Sequence, residues 1–359
     1  MSDTIRYNLF IFLSVISRNL ISIFSLVFLY SYGYTIKDIF LFLTVMYGVG
    51  IISNTLGIYL SSKISFKYVL IISSIINIFG YYYLSVMNKD LFSLIILSII
   101  MSFGDCLYNS VRHYVAISIK DIKVNNILIW NYIGIMFTSV ISAYITKNIS
   151  ILFGVIVSFV ISLISIIPLY KIKSCSKGNV TFKDISIKDK KYFFVLEQFK
   201  VVFCELQNLF LFLYIDNNLM YIGGFQVVIG IASIIFLFYF NRKIDYKYFK
   251  YFNFILCIVL LLKLNVDNKY IMYAIALFEG LCLKEYEYFS TVNLYDVSNN
   301  NIFGYLIICE IIFSVSKFLI LIFSYFFVSN LYVLMMICIL FIFISGFVYP
   351  KKLDKNLFT

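Results

Sequence analysis

The sequence predicts an all-α membrane protein of about twelve transmembrane helices, arranged as two pseudo-symmetric six-helix bundles. Three observations carry that expectation: a composition suited to lipid, apolar runs as long as a bilayer is thick, and a first half that partly recurs in the second.

Of the 359 residues, 62% are hydrophobic and only 13% charged, and the mean hydropathy is +0.96. A soluble domain carries roughly 25% charged residues. A helix needs about 20 apolar residues to cross the hydrocarbon core, where every backbone polar group must be satisfied within the protein. The apolar runs meet that length and lack the alternation of a membrane β-barrel. The expected spans lie near 7–30, 38–60, 68–87, 91–118, 125–146, 149–170, 193–214, 220–240, 250–265, 270–295, 302–326 and 329–349. The first run is too long for a signal-peptide core, has Arg18 in its middle, and lacks a small-residue cleavage site, so it reads as the first span.

The net charge of +11 does not point to nucleic acid, because the basic residues sit between apolar runs. Most of them fall on one side of the alternating spans: Arg6, Lys63, Lys67, Lys120, Lys123, the lysine-rich stretch 171–191, Arg242, Lys243, Lys247, Lys250, Lys351, Lys352 and Lys355. The other side holds only Lys37, Lys89, Lys147, Lys263 and Lys269. Lys and Arg accumulate on the cytoplasmic side, which places both termini inside a multi-pass protein of the cell (cytoplasmic) membrane. The lysine-rich stretch divides the chain into a bundle over 1–170, a cytoplasmic linker over 171–192, a bundle over 193–349 and a tail over 350–359.

The repeat is visible at an offset of 180. The segment from Gly50 to Tyr68 aligns without gaps with Gly230 to Tyr248, eight of nineteen positions being identical. The match includes the turns Lys63-Ile64-Ser65-Phe66-Lys67-Tyr68 and Lys243-Ile244-Asp245-Tyr246-Lys247-Tyr248. A second match pairs the stretch 121–127 with 296–302 after the fourth and tenth spans. With six spans per half, equivalent elements run the same way across the bilayer, as in a parallel repeat about the membrane normal.

On these features the chain resembles the major facilitator superfamily of secondary transporters over essentially its whole length. That family's signature between spans two and three is similar to the stretch from Gly57 to Lys67, with Lys63 and Lys67 at its basic positions; Ser62 stands in place of the acid and Ser65 in place of the second glycine. The second copy keeps Arg242, Lys243 and Lys247. The resemblance implies that these five basic residues belong to loops that switch with conformation. In the fifth span only Gly134, Thr138, Ser139 and Ser142 correspond to the family's antiporter motif, which leaves a drug-antiport subtype unsupported.

A charge at mid-bilayer costs at least about 2.5–3.5 kcal/mol, so an ionisable residue inside a span needs a partner or water. The candidate cavity residues are Arg18 in span one; Asp105, Asn109 and Arg112 in span four; Glu197, Lys200 and Glu205 in span seven; Glu279, Lys284 and Glu287 in span ten; and Glu310 and Lys317 in span eleven. Spans one, four, seven and ten are those that the resemblance places around a central cavity. At 100° per residue, Ser14, Arg18, Ser22 and Ser25 share a face, as do Asp105, Tyr108, Asn109 and Arg112, and Glu310, Ser314 and Lys317. Arg18 has Asp105, Glu205 or Glu279 as possible partners or a substrate as ligand. Asp105 and Glu279 fit either proton coupling or structural pairing, and Lys200 with Glu197 and Lys284 with Glu287 are neighbours at i,i+3. His113, the sole histidine, has no metal-ligand spacing around it, Trp130 suits packing or substrate contact, and the seven cysteines form no CxxC pair, so neither a metal nor a cofactor is expected.

The expected function is a non-enzymatic secondary transporter, a monomer moving a small-molecule substrate together with protons by alternating access. ATP coupling within the chain is excluded by the lack of GxxxxGK[ST]. A multi-span enzyme or flippase acting on lipid-linked substrates, and a transporter-like sensor that does not carry, remain open alternatives.

Overall fold

The computed structural model describes residues 2–119, 124–172, 180, 187, 190–239, 248–295, 301–328 and 330–348. Every regular element among the described residues is an α-helix of four residues or more, a lone 3₁₀ position aside. In chain order these are α1 (Asp3–Ser22), α2 (Ser25–Ser31), α3 (Ile36–Lys63), α4 (Phe66–Val86), α5 (Leu91–Ser118), α6 (Val124–Asn148), α7 (Ile151–Tyr170), α8 (Lys191–Tyr214), α9 (Leu219–Tyr239), α10 (Phe249–Asn265), α11 (Lys269–Tyr295), α12 (Ile302–Phe327) and α13 (Leu331–Val348). Taking α1 and α2 as one broken span, they fall on the twelve apolar runs of the sequence.

Nine of these segments among the described residues are long and apolar enough to cross a membrane, and the chain is a multi-pass helical membrane protein. The exceptions have plain causes. Helix α10 has 17 residues, whereas α8 and α11 are long but carry the charged residues that the sequence assigned to a cavity. The outward surface is apolar, with Ile75, Phe79, Phe137, Phe238 and Phe326 all more than half exposed, as a lipid-facing surface demands.

Turns are short and their polar residues cap the helices they precede. Thr35 and Asp38 form a reciprocal capping box at the start of α3, and Ser150 accepts the Phe153 amide at 3.1 Å. Asp90 accepts the amide and hydroxyl of Ser93 at 2.7 and 2.8 Å. Those bonds, the backbone one foremost, hold its carboxyl below the usual carboxylate range.

Helix pairing has a regular pattern. Within the first six spans α3 packs on α5, α4 on α5, α1 on α6 and α7, and α4 on α7. Within the second six, α9 packs on α11, α10 on α11, α8 on α12 and α13, and α10 on α13. Each pair thus has a counterpart six spans further on. The sets meet chiefly through α3 on α12 and α6 on α9, which exchange places under the same shift.

Glycine permits two of the closest approaches. A Cβ on Gly223 of α9 would stand 2.8 Å from the Ser139 carbonyl oxygen of α6, and one on Gly280 of α11 would stand 2.5 Å from the Ile229 carbonyl oxygen of α9. Small residues allow such backbone contact where lipid supplies no hydrophobic drive between helices.

Span one is interrupted at Ile23 and Phe24. The Ile23 carbonyl accepts from Asn208 Nδ2 of α8 at 2.8 Å, and Asn208 Oδ1 accepts from Gln226 Nε2 of α9 at 2.7 Å. An unmade backbone bond inside a membrane protein is thereby satisfied by a side chain from the other half of the sequence.

Gly280→Leu is expected to force α9 and α11 apart at a cost of about 1–3 kcal/mol, read as a lowered melting temperature in detergent. Gly224→Ala, whose added methyl would meet only the hydroxyl end of Tyr273, is the control; equal stability of the two variants contradicts the close packing.

Candidate functional site

A cavity of about 590 Å³ lies between the two sets of helices. Residues of α1, α2, α3 and α5 face residues of α8, α11 and α12 across it, with Asn131 and Ile135 of α6 closing one side; α4, α7, α9, α10 and α13 contribute nothing. Asn109, well inside α5, is exposed and lines the cavity, so water reaches the interior.

Eight of the residues expected in a cavity line it: Arg18, Asp105, Asn109, Arg112, Glu197, Glu205, Glu310 and Lys317. Arg18 pairs with Asp105, the first of the three partners open to it in sequence. The pair is embedded: Arg18 also donates to the Gly104 carbonyl at 3.3 Å, Asn77 Nδ2 donates to Asp105 Oδ1 at 3.2 Å, and the guanidinium lies 4.0 Å from the Tyr108 ring centroid. Behind it, Ser14, Arg18 and Asn77 border a second cavity of about 10 Å³, room for roughly one water molecule. Ser14 Oγ, Arg18 Nη1 and Asn77 Oδ1 all lack a protein partner.

One turn further along α5, Arg112 lies 5.7 Å from the same ring, and its buried Nε has no hydrogen-bond partner among the described residues. Beside it, His113 Nδ1 shares a hydrogen bond of 3.0 Å with the Tyr295 hydroxyl of α11, linking the two helix sets. On the opposite wall Glu197 accepts from the Ser290 hydroxyl, while its Oε2 has no partner. Deeper along α8, Glu205 accepts from the Tyr47 hydroxyl of α3, and Lys317 of α12 caps the Tyr47 ring at 3.9 Å. Asn54 of α3 donates to Ser314 of α12 at 2.9 Å. Cavity walls from the two halves are thus joined by polar bonds at several depths.

Four expected cavity residues sit elsewhere. Lys200, Lys284 and Glu287 form a separate cluster: Lys200 reaches Glu287 at 3.2 Å, and Lys284 pairs with it one turn away along α11. Tyr132 of α6 donates to Glu287 and offers its ring face to Lys284 at 3.2 Å. Lys200 therefore pairs across helices and not with Glu197 on its own helix. Glu279 pairs with Lys263 of α10 at 2.8 Å, and neither side chain has any exposure. Lys263 was placed outside by its position near the end of a short apolar run; tertiary burial overrides that reading. Glu285 is also buried, and both its carboxylate oxygens lack a hydrogen-bond partner.

Of the five loop residues, Lys63 is exposed at the end of α3, and Lys67 donates to the Tyr170 carbonyl at 2.7 Å. Arg242, Lys243 and Lys247 lie outside the described residues. Trp130 packs edge-on against Phe12 away from the cavity, while its neighbour Asn131 lines it. Tyr47, Tyr132 and Lys263 were missed. The tyrosines are two of 31 in the chain, and no local spacing separates those that ligate a carboxylate from those that face lipid.

The cavity can therefore receive a polar solute in a water-accessible chamber with both signs of charge on its walls, whereas the Glu279 and Glu287 clusters hold helices together. Removing one member of a buried pair strands a charge, at a cost of about 3–5 kcal/mol, but replacing both can be neutral. Lys263→Met should accordingly depress the yield of folded protein and its melting temperature, and the Lys263→Met, Glu279→Met double variant should recover most of the loss. A double variant as unstable as the single one would show that the pair is not the reason for burial. Comparison with known proteins finds no family model that matches the chain and no curated protein with a significant match.

Proposed function

We propose that the chain is a secondary active transporter of the major facilitator type, which carries a small solute through the bilayer by alternating access. The observation that supports this reading best is the pairing pattern, in which each of the main helix pairs of the first half has a counterpart six spans on, with a polar cavity at the junction. Two bundles related in this way can rock about a central site without repacking internally.

Polar links across the junction suit such a motion. His113 to Tyr295 lies toward the side on which α5 ends, and Asn208 to the Ile23 carbonyl lies toward the other. Alternating access requires one group of links to open while the other holds. The lysine distribution supports both termini being cytoplasmic in the cell membrane, and the proposed working unit is a monomer.

Protons are the proposed coupling ion. Glu279, a candidate in the sequence, is sealed away with Lys263; Asp105 and Glu205 line the cavity, and Glu205 also bonds the opposite half through Tyr47. A carboxylate that accepts from the far wall in one protonation state and not in the other can bias a two-state equilibrium.

Two outcomes follow. In proteoliposomes with an imposed proton gradient, a solute panel should include one that accumulates, and Asp105→Asn or Glu205→Gln should bring its accumulation ratio to about 1 with insertion intact; undiminished accumulation in both variants removes proton coupling. In a cysteine-free background, His113→Cys with Tyr295→Cys joined by a short thiol cross-linker should stop flux, and reduction should restore it; full flux in the cross-linked protein contradicts alternating access.

A further inference from the structure

Several charged groups lining the cavity make no ion pair with a described residue, and two of them, Arg112 and Glu197, stand at one depth on opposite halves of the chain. Arg18 holds Asp105; Glu205 is tied through one oxygen to Tyr47 of the other half and leaves Oε2 without a partner, Lys317 sits against the Tyr47 ring, and Glu310, earlier on α12, has no ion pair among the described residues. Arg112 has no described carboxylate within ion-pair distance; its Nε is buried without a partner, and so is the hydroxyl of Tyr108, whose ring it faces. Glu197, 8% exposed, gives one oxygen to Ser290 and leaves Oε2 buried without a partner. Lys200, one turn from Glu197 on the same helix, is committed to Glu287 at 3.2 Å.

These two groups share a depth. Arg112 is six residues from Ser118 at the end of α5, and Glu197 is six from Lys191 at the start of α8. The fourth span ends and the seventh begins on the same side of the bilayer, so each group lies about 9 Å in from that side at 1.5 Å per residue. Both line the one cavity, from opposite halves of the chain.

A buried donor and a buried acceptor left unmade each cost about 1–3 kcal/mol, more when charged. A single solute bearing an anion at one end and a cation at the other removes both costs and joins the two halves. From this we infer that the substrate is a zwitterion, an amino-carboxylate or similar molecule, its anionic group on Arg112 and the Tyr108 hydroxyl and its cationic group on Glu197. The inference rests on the carrier reading for its role in transport but not for the site itself. Bidentate guanidinium geometry suits a carboxylate, and neutral solutes leave both charges uncompensated.

The test is equilibrium binding to the purified full chain in detergent, using a ladder of ω-amino acids from glycine through β-alanine and 4-aminobutanoate to 6-aminohexanoate, with alanyl-alanine. Hexanoate, hexylammonium and glucose serve as single-charge and neutral controls. The best zwitterion is expected to bind at least about tenfold more tightly than any control, and Arg112→Gln and Glu197→Gln should each weaken it about tenfold or more, as for a lost charged hydrogen bond. Arg112→Gln should leave hexylammonium binding unchanged, and Glu197→Gln should do the same for hexanoate. If either neutral variant is polydisperse, Glu197→Asp supplies the second measurement, because shortening that side chain should move the preferred ladder member to a longer one.

Binding of hexanoate or glucose as tight as that of any zwitterion, binding of no ladder member, or an unshifted preference in Glu197→Asp overturns the inference. Zwitterion binding without flux in vesicles would uphold the site and end the carrier reading, whereas flux of a neutral solute without zwitterion binding would do the reverse.

Discussion

Burying charge in hydrocarbon is the constraint from which the rest of this structure follows. Insertion of an ionised side chain at mid-membrane is costly enough that each must be paired or hydrated, and this chain places a dozen or so in its spans. It resolves most of them in two ways, Glu285 being buried outside both. Lys263 with Glu279, and Lys200 and Lys284 with Glu287, are compensated within tightly packed helices. Arg18, Asp105, Arg112, Glu197, Glu205, Glu310 and Lys317 are instead gathered around one water-accessible space. The first solution fixes helix positions, and the second creates a chamber whose walls are chemically demanding.

The packing between halves is consistent with that division. The long contacts of α3 with α12 and α6 with α9 flank the chamber, while α4, α7, α10 and α13 stay behind and support. Tyrosine recurs at the junction for a physical reason. Tyr47 and Tyr132 each donate to a carboxylate on the opposite half while their rings face a lysine, so one side chain stabilises both signs of charge with little conformational entropy to lose. An aliphatic residue fills the same volume but leaves both charges to find other partners.

Much of this was legible in the sequence. The positions of the apolar helices follow from hydropathy, because in lipid a helix is almost the only structure available, while the six-plus-six division is an expectation drawn from the single long polar stretch. The cavity assignments for Arg18, Asp105, Arg112, Glu205 and Lys317 rest on charge inside apolar spans, on the resemblance that places spans one, four, seven and ten centrally, and on helical periodicity. Periodicity says which residues share a face but not which helix that face meets, and so Glu279 and Glu287 were grouped with the cavity although their partners lie on α10 and α8. Lys263 illustrates a further limit, since a lysine near the end of a short run reads as a loop charge until the neighbouring helix is known to offer Glu279. The interruption of span one was not legible either: residues 19–28 are apolar or weakly polar, and the break is stabilised from outside by Asn208.

That interruption also bears on mechanics. Helix α1 lies against α6 and α7, whereas the short α2 touches α3 and α8, and between them the Ile23 carbonyl is held by Asn208 and the Ser22 carbonyl by the Ser25 hydroxyl instead of by the next turn. The first span is therefore two rods and a swivel. Either rod can tilt without breaking the other's internal hydrogen bonds, and α2, tied to α8 through the Ile23 carbonyl, is the one placed to follow that helix.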